Sequence, residues 1–485
     1  MEKLFAKYVE AVKETDTVKR VGHIYRIQGL LIESIGPQSV TGEICHIETQ
    51  DAEGILGEVI GLNGSTVQLM AYGSTDGIKL GARVTASGSG LEIPCSPDML
   101  GRILDGLGRP IDGKPRFSAR QFNPAIREAP PAFSRPMITE RLTIGIRAVD
   151  GLLATGKGQR IGVFAGSGVG KSTFLGMIAA NTRADVNVIA LIGERGRELN
   201  DFIANSLGEE ALKRSVIVAA TGDKSALERL KGAYTATAIA EYFRDLGMNV
   251  MLLFDSVTRF ARAQREIGLS RGESAAHRGY PPSVFDLLPK LLERAGPSDT
   301  GSITAFYTVL VEGGDMDEPV SDNVRATLDA HIVLSRRLAS RGHYPAIDVL
   351  QSISRLADEV SGTETRKAAR IVKRFMADYA ESEDIINAGA YKQGANPDID
   401  AAIAKHGEIE DFLIQGLREE ATLSETLSRL GGIAGIEIPE TEWTEAAGKV
   451  SERNIAGRNA AGEDVAQKDS ASGRELVPES AKGLN

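Results

Sequence analysis

Ala165-Gly166-Ser167-Gly168-Val169-Gly170-Lys171-Ser172, with Thr173 next in line, joins the strand-like run RIGVF to the helix-like run STFLGMIAA. Glycines at this spacing let backbone N–H groups turn inward at a helix N-terminus, where they can surround phosphate oxygens. In such a loop Lys171 neutralises the β- and γ-phosphates of a nucleotide, and the Ser172 hydroxyl ligates Mg²⁺. The pattern therefore predicts a P-loop that binds ATP and Mg²⁺ between Ala165 and Thr173. Its first position is Ala rather than Gly, a small departure. The overlapping Gly166, Gly168 and Gly170 also suit a dinucleotide turn, but Lys171-Ser172 and the missing acidic residue on a second strand argue against one.

Phosphoryl transfer to water needs two further parts, a metal partner and a group that positions the attacking water. Asp255 closes the apolar run NVMLLF, so its carboxylate is expected to leave a central strand facing the metal. Capping the helix SVTRF is the plainer role for the same residue, and the two are compatible. Glu194 follows the apolar run VNVIALI inside GERGRE (193–198) and is the expected general base or water-orienting residue. A charged surface turn is the alternative reading of that segment.

These groups need strands that end side by side. Strand-like runs alternate with helical ones: RIGVFAG then TFLGMIAANT, VNVIALIG then ELNDFIANSL, SVIVAAT then YTATAIAEYFRDLG, NVMLLFD then VTRFARAQREIG. That alternation predicts a mostly parallel sheet covered by helices on both faces, with its site at the carboxyl ends of the strands. Upstream, short β-type runs cut by Gly, Pro, Asn and Asp predict a small closed barrel. Downstream, TRKAARIVKRFMADYAES and IDAAIAKHGEIEDFLIQGLREE read as amphipathic helices. The expected fold class is α/β: an amphipathic N-terminal helix (1–20), a β-barrel (21–92), a RecA-like P-loop domain (93–361), a helical C-terminal domain (362–440) and a disordered tail (441–485) holding the only tryptophan, Trp443.

Composition narrows the function. At 485 residues the chain exceeds what one core can hold, and 42% hydrophobic with 25% charged residues is ordinary globular usage. A net charge of −10 lacks the basic field of a nonspecific nucleic-acid binder. Cys45 and Cys95 have no metal-site spacing and read as reduced, buried thiols of a cytoplasmic protein. The N-terminus shows no signal peptide, and no window is apolar enough to span a bilayer.

Together these segments resemble the α/β family of rotary-type ATPases, over nearly the whole stretch from Val21 to about Leu430. The resemblance is carried by MLGRILDGLGRPIDG (99–113), GIRAVDGLLATGKGQRIGVFAGSGVGKST (145–173), GERGRE (193–198), RGYPPSVFDLLPKLLERAG (278–296), EPVSDNVRATLDAHIVLSRRLA (318–339) and GHYPAIDVLQSISR (342–355). FAGSGVGKS joined to GERGRE, PPSVF, LLERAG and GHYPAID is closer to the branch serving type III protein export, flagellar above all, than to ATP-synthase subunits. The resemblance implies Glu194 as catalytic carboxylate, Arg195 as a phosphate contact, Tyr344 as a platform for adenine and Arg355 as an arginine finger offered to the next subunit. It further implies a homo-hexamer, a regulator bound through the N-terminal helix, a central stalk protein, chaperone–substrate complexes, and a cytoplasmic site at the inner-membrane export apparatus. GESAA (272–276) and Gly314 depart from the pattern of that branch without touching the expected phosphate site.

Three alternatives are open at this level. The injectisome of virulence systems uses the same fold and chemistry. A structural, non-catalytic ATP-synthase-type subunit would typically lack the carboxylate at Glu194. A ring-shaped RNA translocase would need basic and aromatic residues on its barrel, where Tyr25 and Tyr72 are the only aromatics and basic residues are few.

Overall fold

The computed structural model describes residues 19–51 and 54–444. The expected N-terminal helix lies outside the described residues apart from its last two positions, as does the tail from 445 onward.

Six strands, Val21–Gln28, Leu31–Ile35, Ile44–Ile47, Ile55–Asn63, Thr66–Ala71 and Arg83–Ala86, close into a barrel. Closure leaves no open strand edge to pair with other chains. Alternate side chains, among them Ile24, Ile32, Val59, Leu69 and Val84, fill its interior. A buried ion pair ties the barrel to the next domain: Lys231 Nζ lies 2.7 Å from Glu58 Oε1, and Tyr72 donates to the other oxygen of Glu58.

The central domain is built on one large sheet. Its strands run in the order Ile347–Ser354, Ala330–Leu334, Arg160–Ala165, Ser302–Leu310, Asn249–Asp255, Val186–Ile192, Ser215–Ala220, Arg102–Leu104. All pair in parallel except the first, an antiparallel edge strand. Strands covered on both faces are nearly continuous in apolar residues, which is why VNVIALI has no polar alternation and only one polar residue, the buried Asn187. Its period of two is visible in packing instead. Val186, Val188, Ala190 and Ile192 face one core layer, and Ile189 and Leu191 face the other. Helices Ala226–Asp245, Val257–Ser270 and Pro282–Leu292 cover the first layer, and Lys171–Asn181 covers the second.

Inside the first layer Arg294 and Glu241 form a two-armed pair at 2.9 and 2.7 Å, each side chain 1% exposed. Removing one partner strands the other charge in the core, so Glu241→Ala is expected to lose about 3–5 kcal/mol. Denaturant melts of the two proteins measure this, and a change below about 1 kcal/mol would mean that water reaches Arg294.

Helices Thr363–Asn387, Pro397–Leu413 and Leu423–Ala434 form the C-terminal domain. Arg147 stitches it to the sheet domain, donating from Nε to the Phe412 carbonyl (2.8 Å) and from its other nitrogens to Ile414 and Glu419. The folded part continues past 441, where a disordered tail was expected. Glu442 reaches back to the start of the Thr363–Asn387 helix and accepts from the backbone N–H of Glu364 (3.0 Å) and Thr365 (2.8 Å). Trp443 packs on the same core. The residue ahead of that helix is Gly362, which carries no capping side chain, so the cap is imported from 80 residues away in sequence. A Cβ on Gly362 would fall 2.0 Å from the Glu442 carboxyl carbon, so only glycine allows the approach.

Candidate active site

Four neighbouring strands of the sheet end on one side, and the chemistry-bearing residues follow those ends. The P-loop leaves Arg160–Ala165, Glu194 lies two residues past Val186–Ile192, Asp255 ends its own strand, and Val311 and Gly313 continue Ser302–Leu310. They surround a cavity of about 680 Å³ lined by Ala165 to Gly168, Gly170 to Thr173, Glu194, Arg195, Arg259, Arg262 and Arg336. Gly168 and Gly170 have φ of 77° and 90°, in the left-handed region that a side chain resists. That conformation turns the chain into the Lys171–Asn181 helix, whose first N–H groups then point at the cavity.

Lys171 Nζ stands 2.5 Å from Asp255 Oδ1 and 3.3 Å from Glu194 Oε1. Burial works against the ammonium, but the charges and hydrogen bonds of Asp255 and Glu194 outweigh it and hold the Lys171 pKa above its ordinary value. The side chain is therefore cationic at neutral pH. Asp255 is 3% exposed and also accepts from the Thr308 hydroxyl at 2.7 Å. It does not cap the following helix, contrary to the expectation that one residue serves both roles. Ser256 does so, accepting from Arg259 N–H, because the residue just outside the first turn is the one that can reach back to it.

Arg195 is largely exposed and pairs loosely with Glu198 at 3.4 Å, on the rim of the cavity. Tyr344 lies on the other side of the P-loop helix, where a Cβ on Gly170 would come within 3.3 Å of its ring. With Pro345, Thr173, Phe174 and Ile414 to Leu417 it lines an adjoining pocket of about 400 Å³. The Tyr344 carbonyl accepts from Gln415 N–H at 2.9 Å, so the helical domain helps to shape that pocket.

Arg355 lies elsewhere. Its N–H donates to Asp329, whose own N–H donates to the Arg160 carbonyl, at the root of the P-loop strand. The P-loop begins at the opposite end of that strand, about 17 Å away at the rise of a β-strand.

Sequence reasoning missed Thr308, one of several hydroxyl residues in the buried strand SITAFYTVL and picked out only by its contact with Asp255. It also passed over Arg259, Arg262 and Arg336, which bring positive charge to the cavity. A signal existed for two of them, since Arg259 and Arg262 stand three residues apart on the first turns of the helix after Asp255.

The barrel domain of the ATP synthase alpha/beta family matches residues 24–88, and the nucleotide-binding domain of that family matches 145–354. The C-terminal domain of the type III secretion ATPase EscN matches 361–432. The flagellum-specific ATP synthase of Treponema pallidum is 55% identical over 90% of this chain and 98% of its own. The chain belongs to the flagellar and type III secretion ATPases of the ATP synthase alpha/beta family. It is thus a nucleotide-binding ATPase. The flagellum-specific ATP synthase of Bacillus subtilis is 49% identical over 88% of this chain and 98% of its own. The type 3 secretion system ATPase of Sinorhizobium fredii is 46% identical over 88% and 95%. Assembled EscN of enteropathogenic Escherichia coli superposes with a TM-score of 0.81 at 43% identity, covering 85% of this chain and all of EscN.

Proposed function

We propose that this ATPase hydrolyses Mg-ATP in cavities completed by a neighbouring copy, and that the ring so formed drives protein export by a flagellar type III apparatus. The observation that carries the shared site is the place of Arg355, which lies too far from its own P-loop to touch a bound γ-phosphate. Arg355 can therefore act as an arginine finger on a transferring phosphoryl group only in the site of a neighbouring subunit, beside the arginines that each cavity already holds.

Ser172 and Asp255 supply hard oxygen donors, and among the described residues no cluster of three or more His, Cys, Asp or Glu could hold a metal by itself. That donor set suits Mg²⁺, which takes few protein ligands and completes its shell with phosphate and water. Held by Ser172 and Asp255, Mg²⁺ would supply positive charge against the phosphate oxygens. Lys171 exchanges its carboxylate partners for those same oxygens, and the P-loop N–H groups orient the chain of phosphates. Glu194, released by Lys171, accepts a hydrogen bond from the attacking water and holds its oxygen in line with the γ-phosphorus as the bond to the bridging oxygen breaks. Arg195 borders the phosphate end, and Tyr344 supports the adenine in the adjoining pocket.

Relatives named as flagellar reach 48–55% identity and those named for type 3 secretion 45–46%, which favours the flagellar system over an injectisome. No helix among the described residues is long and apolar enough to cross a membrane. In this reading the ring works in the cytoplasm, held at the inner-membrane apparatus through partners: a regulator on the N-terminal segment, chaperone–substrate complexes, and a central stalk of the kind solved with EscN as EscO. A site shared between copies makes specific activity rise with protein concentration. Steady-state Mg-ATP hydrolysis across a dilution series tests it, and a constant specific activity in the monomer range would overturn the shared site.

A further inference from the structure

Arg355 is exposed and follows the last residue of an edge strand, a place where a long side chain is poorly oriented unless its backbone is fixed. It is fixed from both sides by two consecutive residues. Arg160 grips the Asp329 carboxylate through its backbone N–H (3.0 Å), Nε (3.1 Å) and Nη2 (3.0 Å), while the Asp329 carbonyl accepts the Arg355 N–H at 3.2 Å. Gln159, fully buried, donates from Nε2 to the Ser354 hydroxyl at 3.2 Å, and that hydroxyl donates to the Ala154 carbonyl at 2.8 Å.

We propose that Asp329 is the positioning residue of Arg355, and that Gln159 and Arg160 make the root of the P-loop strand the mount on which the guanidinium is presented to the adjacent subunit. This rests on the reading that Arg355 serves the neighbouring site. The strand from Arg160 to Ala165 is hydrogen-bonded to a parallel neighbour on each side and moves as a stiff unit. A shift of the P-loop at one end is therefore delivered to Arg355 at the other. Each subunit's own nucleotide contacts thereby bear on how well the next subunit's site is completed.

The test is complementation in mixed assemblies. Asp329→Asn keeps the carbonyl that holds Arg355 but weakens the Arg160 grip, and Ser354→Ala removes the hydroxyl on the other side. Each is expected to lower kcat about 10- to 100-fold, the cost of a misplaced catalytic group, with KM unchanged. Each is then mixed with Glu194→Gln, whose own site is disabled but whose Arg355 mount is intact. Activity of the mixture above the sum of the two parts is the expected result, because a Glu194→Gln subunit lends a well-placed guanidinium to the variant's sound site. Arg355→Ala mixed with Glu194→Gln is the control. Failure of that control to recover would overturn the role of Arg355 itself. Recovery in the control but in neither Asp329→Asn nor Ser354→Ala would overturn the positioning role, leaving those residues with a purely local structural one. If one variant fails to fold, as judged by its melting curve, the other decides.

Discussion

Arg355→Ala is expected to cut turnover by about 10³- to 10⁵-fold, the range an arginine finger contributes to phosphoryl transfer. Nucleotide affinity should change little, because neither the main cavity nor the adjoining Tyr344 pocket of the same chain contains Arg355. The loss would appear in kcat rather than in binding, since the guanidinium meets charge that develops on the γ-phosphoryl group only as it transfers. Lysine should rescue poorly: it restores one positive charge but not the planar fork that spans two oxygens. Steady-state kinetics with parallel titration of a fluorescent nucleotide measures both quantities. If turnover falls less than tenfold, Arg355 is an ordinary surface residue and the site must be completed in another way.

Glu194→Gln should leave ATP bound but slow hydrolysis by about 10²- to 10⁴-fold, the usual contribution of a group that takes or orients the proton of the attacking water. The amide keeps the size of the carboxylate, so the cavity wall is preserved. It can neither accept a proton nor offer two equivalent acceptors, so the water loses its orienting partner. Lys171 loses one anionic neighbour and keeps Asp255, which lies closer at 2.5 Å against 3.3 Å. The cation that meets the phosphates therefore stays in place, and nucleotide affinity should hold within a few-fold. A variant that hydrolyses ATP at the parent rate would move the water-orienting role elsewhere and give weight to a structural, nucleotide-holding subunit.

The three folded units, the P-loop and the order of strands and helices were legible in the chain because each is written at short range. Gly168, Gly170, Lys171 and Ser172 lie within five positions, and VNVIALI, apolar but for Asn187, marks a strand with no solvent face. The carboxylates at Glu194 and Asp255 could be placed at strand ends for the same reason. The helix cap after Asp255 was misplaced by one residue, a shift that only backbone geometry resolves, since Asp and Ser both cap well.

What the tertiary structure alone decided are the contacts between residues distant in the chain. Asp255 meets Thr308, Arg294 meets Glu241, Glu442 caps a helix beginning at Thr363, and Arg160 and Asp329 hold Arg355 at the far end of the P-loop strand. No periodicity or motif encodes such pairs, because they depend on which strands lie side by side and where each one ends. The amino-acid sequence by itself marked this protein as a nucleotide-binding one and marked Ala165 to Thr173 as its expected phosphate loop. The folded sheet decided that Arg355 lies apart from its own P-loop, because a strand of six residues separates the two ends it joins.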